Sequence, residues 1–213
     1  MTAFLLSLTA IIAYFMGSLK TSIIASHFVF HCDLRAYNRD NEGITRFRNR
    51  FGTVGVVKLL GMEVLKTAIP VIIGGLLMLI RDEATIGRAF ALFCVMMGYN
   101  FPIMFRFKGE TSLVAYAVGL ICLNPGVGFV SIIIGGVVYW ITRYVSLGAI
   151  AGALASYLFA FIALDGDWVH KLVLLCVVIV LIEYRKNIVR LIKGTEPKFT
   201  YKKDISYMFD EEY

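Results

Sequence analysis

Apolar side chains fill most of this chain, and the polar positions come in short clusters between long hydrophobic stretches. Cutting at charges, Gly/Pro turns and basic clusters leaves seven apolar runs: residues 3–30, 53–80, 86–104, 112–123, 127–141, 147–164 and 168–183. A helix needs about 20 such residues to cross a bilayer, so the pattern predicts an all-α integral membrane protein, a seven-span helical bundle. The fourth and fifth runs share a hairpin turn at Asn124-Pro125-Gly126, and both are short for a full crossing. All the runs exceed the roughly 10-residue alternating strands of an outer-membrane barrel. Met1–Ala13 lacks the positive charge that opens a secretory signal and reads as the start of a retained span.

Composition agrees. At 59% hydrophobic and 17% charged residues, the 213-residue chain departs from soluble domains, which average about 45–50% and 25%. That excludes an ordinary soluble enzyme, a secreted disulfide scaffold or a free nucleic-acid binder. The net charge of +6 then reports topology and contact with anionic lipid, not nucleic acid. With the N-terminus outside and the C-terminus cytoplasmic, the inner segments hold Arg35, Arg39, Arg46, Arg48 and Arg50, then Arg106 and Lys108, then Arg143, and finally the basic run from Arg185 to Lys203. The outer connections hold only Arg81, Arg88 and Lys171. Residues 1–193 therefore form one membrane domain, and 194–213 a polar, mixed-charge cytoplasmic tail.

Ionisable groups inside a bilayer are expensive, roughly 2.5–3.5 kcal/mol each on insertion scales, and so call for a role. Lys58, Glu63 and Lys66 lie within the second run. Glu63 and Lys66 are three apart, on one helical face, as an ion pair or as chemistry. Lys58 is placed to snorkel to the headgroups. The loop Asp33–Arg46 mixes arginines, short polar side chains and Gly43; it suits a phosphate and equally an anionic membrane surface. His27 and His31 are four apart near Asp33, but no third ligand appears at a familiar spacing, so no metal is expected. Cys32, Cys94, Cys122 and Cys176 show no metal or redox spacing and read as small buried hydrophobes.

A series of short motifs carries more. Tyr14-Phe15-Met16-Gly17-Ser18, Asp33-Leu34-Arg35, Leu65-Lys66 with Ile69-Pro70, Gly98 with Phe101-Pro102, Phe107-Lys108-Gly109, Arg143 to Leu147, and Arg185, Asn187-Ile188, Arg190-Leu191 and Gly194 follow in order along nearly the whole chain. This order resembles the PlsY-type acyl-phosphate:glycerol-3-phosphate acyltransferases, integral membrane enzymes of bacterial phospholipid synthesis. The resemblance implies a multi-pass protein of the bacterial cell membrane with a site on the cytoplasmic side. It also implies membrane lipids as surroundings, acyl phosphate and glycerol 3-phosphate as substrates, no cofactor, and lysophosphatidate as product. Carried over by position, it makes Lys66 and Glu63 the catalytic candidates. Arg39, Asn41, Gly43, Thr45, Arg46, Lys108, Gly109, Ser146, Arg185 and Asn187 become the substrate-binding candidates.

The motifs also depart from the family pattern. Gly-Ser-Gly-Asn-x-Gly-x-Thr-Asn becomes Asn38 to Arg46, keeping Asn41, Gly43 and Thr45; bulky Arg39 and Asp40 stand where small residues let a phosphate reach backbone N–H groups. Gly-His-x-x-Pro becomes Gly98-Tyr99-Asn100-Phe101-Pro102, and Phe-x-Gly-Gly-Lys-Gly becomes Phe107 to Ser112, without its lysine. Asp-x-x-Lys-Gly becomes Glu63 to Thr67, and His-Arg-x-Asn becomes Tyr184-Arg185-Lys186-Asn187. Two readings remain: a divergent acyltransferase in which arginines replace lost phosphate contacts, or an inactive paralogue that binds lipid or acyl phosphate or partners an active enzyme. A transporter would need polar groups along a midplane path, whereas here they gather at the cytoplasmic ends.

Overall fold

The computed structural model describes residues 1–21, 44–105, 107, 109 and 111–196, with the backbone alone for 44–51. Helices occupy each of the seven apolar runs: α1 (Thr2–Ser18), α2 (Ile44–Leu79), α3 (Ala84–Asn100), α4 (Leu113–Leu123), α5 (Pro125–Thr142), α6 (Val145–Ala163) and α7 (Asp167–Glu183). The short α8 (Arg185–Ile192) follows, and no strand occurs among the described residues.

In an apolar solvent every backbone and hydroxyl group must find a partner within the protein, which is why these runs fold as helices. Several of their hydroxyls follow the same rule, while those of Thr21 and Thr67 are buried without a hydrogen-bond partner among the described residues. Thr9 donates to the Leu5 carbonyl at 2.8 Å, Ser18 to Tyr14 at 2.8 Å and Thr142 to Val138 at 2.7 Å, each one turn back. Between helices, Ser131 donates to the Gly152 carbonyl at 2.8 Å, and Tyr116 bonds Ser156. The Asn124-Pro125-Gly126 turn is as tight as its residues imply: Asn124 caps α5 by accepting from the Val127 amide at 3.2 Å, and Pro125 takes the first helical position.

Two boundaries differ from the sequence pattern. The run 3–30 is not one helix, since α1 stops at Ser18 and the backbone turns extended at Leu19. The second helix starts well before residue 53, at Ile44, and bends at Gly52, whose φ of +66° suits glycine. Gly52–Leu79, Ala84–Phe105, Pro125–Thr142 and Val145–Ala163 are long and apolar enough to cross a membrane. The 11 residues of α4 rise only about 16 Å, roughly half the hydrocarbon core.

α3 is the hub, packed on α1, α2, α4 and α7, while α6 packs on α5 and α7. Leu92, Val95, Met96, Leu120, Val173 and Val177 form the centre, with Cys94 and Cys176 among them as free, buried thiols. Close approach rests on glycine, as membrane helix pairs require. A Cβ at Gly98 would fall within 3.0 Å of the Tyr14 carbonyl oxygen and the Ser18 nitrogen of α1. At the α5–α6 crossing, a Cβ on Gly135 would lie 2.8 Å from the Gly148 carbonyl oxygen.

Gly98→Ala should therefore lower the apparent unfolding temperature of the detergent-purified protein, by an overpacking penalty of about 1–3 kcal/mol. Gly61→Ala meets nothing within 4 Å in the same bundle and should leave that temperature unchanged or raise it, because alanine favours helix over glycine.

Candidate functional site

Lys66 sits on α2 with only 7% of its surface exposed, a position an ammonium tolerates only with strong compensation. The break at Leu19 supplies it. Ending α1 at Ser18 leaves carbonyls without helical partners and concentrates partial negative charge there, and Lys66 Nζ donates to the Leu19 carbonyl. Its other face lies over the Tyr99 ring, 3.6 Å from the centroid. The Tyr99 hydroxyl in turn donates to Glu63 Oε2, one turn before Lys66. Thus the two charges on one face of α2 are both engaged by a single tyrosine from α3. Tyr14 anchors the same corner by donating to the Phe101 carbonyl at 2.6 Å. Lys20 lies over the Phe105 ring at 5.2 Å.

The next residue along α3 begins a second cluster. Asn100 Nδ2 donates to Glu183 Oε1 at 2.6 Å, and that oxygen also takes the Ser112 hydroxyl at 2.5 Å and the Ser112 amide at 3.1 Å. One carboxylate therefore ties the C-terminal ends of α3 and α7 to the start of α4. Gly109 makes the close return possible, since a Cβ there would strike the Tyr99 and Asn100 carbonyls. Beside Glu183, burial pushes the Tyr184 hydroxyl up to about 12, with the carboxylate adding to the effect, so it stays neutral.

A third cluster follows at the start of α6. Glu196 Oε1 accepts from the Ser146 hydroxyl at 3.1 Å and from Asn187 Nδ2 at 2.8 Å. Through Tyr99–Asn100 and Glu183–Asn187 the three clusters join into one polar belt at one end of the bundle. Against it lies an apolar cleft of about 460 Å³ between α4, α5 and α6, lined by Leu113, Val118, Ile132, Gly136, Tyr139 and Val145. Leu113 follows Ser112 and Val145 precedes Ser146, so chain neighbours of two belt residues line the cleft.

Of the sequence-derived candidates, Lys66, Glu63, Gly109, Ser146 and Asn187 stand on this belt. Arg185 begins α8 exposed and donates to the Ile182 carbonyl at 3.1 Å. Thr45 and Arg46 are helical in the first part of α2, with backbone alone described; Arg39, Asn41, Gly43 and Lys108, like His27 and His31, lie outside the described residues. Among the described residues no group of three or more His, Cys, Asp or Glu side chains is placed to hold a metal ion. The sequence pattern passed over Glu183, Ser112 and Glu196. Glu183 had a signal, an acid closing an apolar run, whereas Glu196 reaches Ser146 across 50 residues without one.

Comparison with known proteins agrees with this architecture. A crystal structure of PlsY (YgiH), an integral membrane glycerol 3-phosphate acyltransferase in its glycerol 3-phosphate form, superposes with a TM-score of 0.74 at 24% identity, over 96% of this chain and 98% of that one. Its lysophosphatidic acid form gives 0.75 at 23% identity, over 92% and 95%. At these identities the likeness is one of fold. A glycerol-3-phosphate acyltransferase of Thermoanaerobacter sp. (strain X514) is 32% identical over 199 residues, 93% of this chain and 98% of the relative. One from Clostridioides difficile (strain 630) is 28% identical, over 92% and 96%. With residues 7–194 also matching the sequence model of that family, the chain belongs to the glycerol-3-phosphate acyltransferase family.

Proposed function

We propose that this protein transfers an acyl group from acyl phosphate to a hydroxyl of glycerol 3-phosphate at the polar belt. The observation that carries the reading is an apolar cleft lined by the chain neighbours of Ser112 and Ser146, at the same end of the bundle as a row of phosphate-suited donors: an acyl phosphate is a long apolar chain ending in an anion. The chain lies in the α4–α6 cleft and the two phosphates lie along the belt. Lys66 supplies the cation, and Ser146 and Asn187 supply neutral donors, with Gly109 letting the loop close on them. Glu63 orients Tyr99, which holds Lys66 from the other side. Arg185, Arg39, Arg46, Lys108, Asn41, Gly43 and Thr45 contribute from the cytoplasmic side. The glycerol oxygen attacks the acyl carbonyl, the bond from that carbon to the phosphate oxygen breaks, and inorganic phosphate leaves with the electron pair and accepts the hydroxyl proton. No covalent enzyme intermediate forms; alignment of two anions and neutralisation of their charge lower the barrier.

In this reading the chain crosses a bacterial cell membrane seven times, with its N-terminus outside and the belt cytoplasmic. In it, residues flanking α4 complete the fourth crossing, since its 11 residues are too few to span alone. Residues 1–193 form the membrane domain and 194–213 the tail. A second reading, a membrane protein that binds acyl phosphate or lipid without turnover, draws support from Glu63 and Ser146 being engaged within the protein.

Two outcomes follow. Purified protein in liposomes should transfer labelled acyl groups from acyl phosphate to glycerol 3-phosphate, and Lys66→Ala should reduce the rate by about a hundredfold with the fold retained, a loss typical of removing one electrostatic stabiliser. An inactive wild type beside an active relative would favour the second reading. Gly136 faces the cleft with nothing within 4 Å of an added Cβ, so Gly136→Leu should shorten the cleft without distorting α5. Displacing about two methylenes should lower kcat/KM for 16-carbon donors about tenfold and leave 8-carbon donors unchanged.

A further inference from the structure

The short helix α8 is composed unlike the spans before it. Arg185, Lys186, Arg190 and the following Lys193 are cations, and no acid stands among them. Its faces are sorted. Asn187, Ile188 and Leu191 are half-buried, and Asn187 Nδ2 holds that side to Glu196 at 2.8 Å. Next round the helix come Val189 and Ile192, apolar yet 50% and 81% exposed. Beyond these lie Lys186, Arg190 and Lys193, all exposed and within about 60° of one another at 3.6 residues per turn. Only Tyr184 separates α8 from α7, whose 17 residues rise about 25 Å of a hydrocarbon core about 30 Å thick. With a length of about 12 Å, α8 keeps its cations within the headgroup layer whichever way it runs.

We propose that α8 docks on the anionic phospholipid headgroups of the bilayer that holds the protein: Lys186, Arg190 and Lys193 bind the headgroup phosphates, and Val189 and Ile192 enter the acyl boundary beside them. The pairing of the two strips carries the choice of occupant. An apolar strip flanked by a basic edge matches a surface that is itself apolar below and anionic above. A free phosphate would use the cations and leave Val189 and Ile192 in water, where their exposure gains nothing. Docking of this kind needs no acyl transfer and stands beyond that reading. It makes the order of α8 respond to the surface charge of the membrane, since each basic residue contributes through a field that fades within a Debye length.

The test is amide hydrogen exchange of α8 in the full chain, reconstituted in nanodiscs of phosphatidylcholine alone or with about 30% phosphatidylglycerol. The α8 amides should exchange about tenfold more slowly in the anionic discs, and the difference should vanish near 1 M salt, where the Debye length is about 3 Å. Replacing Lys186, Arg190 and Lys193 together by Glu should erase the difference. The triple Lys186→Gln, Arg190→Gln and Lys193→Gln, which removes charge without adding repulsion, should do the same while exchange in α3 stays that of the wild type. Val189→Ser with Ile192→Ser should weaken the protection by removing the apolar part of the contact. Equal exchange in the two kinds of disc overturns the proposal, as does protection that survives the glutamine triple. Protection produced by inorganic phosphate in phosphatidylcholine discs also overturns it, making the basic edge a site for a soluble anion.

Discussion

A buried ammonium group governs how this membrane protein is put together. Lys66 lies inside an apolar bundle, and desolvating it demands partners that α2 alone does not provide. They come from an interrupted α1, whose terminal carbonyl accepts from Nζ, and from the face of Tyr99 at the end of α3. Three helices must therefore meet at one corner. The glycines allow it: with side chains at Gly17 and Gly98, α1 and α3 would stand too far apart for a Leu19 carbonyl and a Tyr99 ring to reach the same nitrogen.

From that corner the polar groups propagate along the bundle end. Tyr99 leads to Asn100, Asn100 to Glu183 and Ser112, and Glu183 through the α7–α8 junction to Asn187 and Ser146. Each is fixed by a helix end, where backbone groups lack helical partners and side chains or ligands take their place. The proposed site thus lies where the secondary structure is incomplete. The lining of the apolar cleft between α4, α5 and α6 includes Leu113 and Val145, the chain neighbours of Ser112 and Ser146; in the proposed reading an amphipathic substrate places its chain in the cleft and its charge on the belt.

The span pattern was legible because hydropathy dictates it: six of the seven apolar runs end within a few residues of the helix that contains them, and the Asn124-Pro125-Gly126 turn announced itself. The break at Leu19 was not. It carries neither glycine nor proline, and the helix ends there because Lys66 and the packing of α3 favour an open carbonyl, a tertiary cause no local pattern holds. Lys66, Glu63, Ser146 and Asn187 were legible as polar groups at motif positions. Their connections were not, since Tyr99 replaces the histidine of the family pattern and works through both its ring and its hydroxyl. Glu196 belongs to a mixed-charge tail in which nothing singles out one acid.

The central claim is that the belt and the cleft form one site for a charged head and an apolar chain. A structure of the protein with a non-hydrolysable acyl phosphonate tests it most directly. The account predicts the chain in the cleft beside Gly136 and Val118, with phosphonate oxygens bonded along the belt between Lys66 and Ser146. A chain lying on another face of the bundle, or a phosphonate away from both residues, would contradict it.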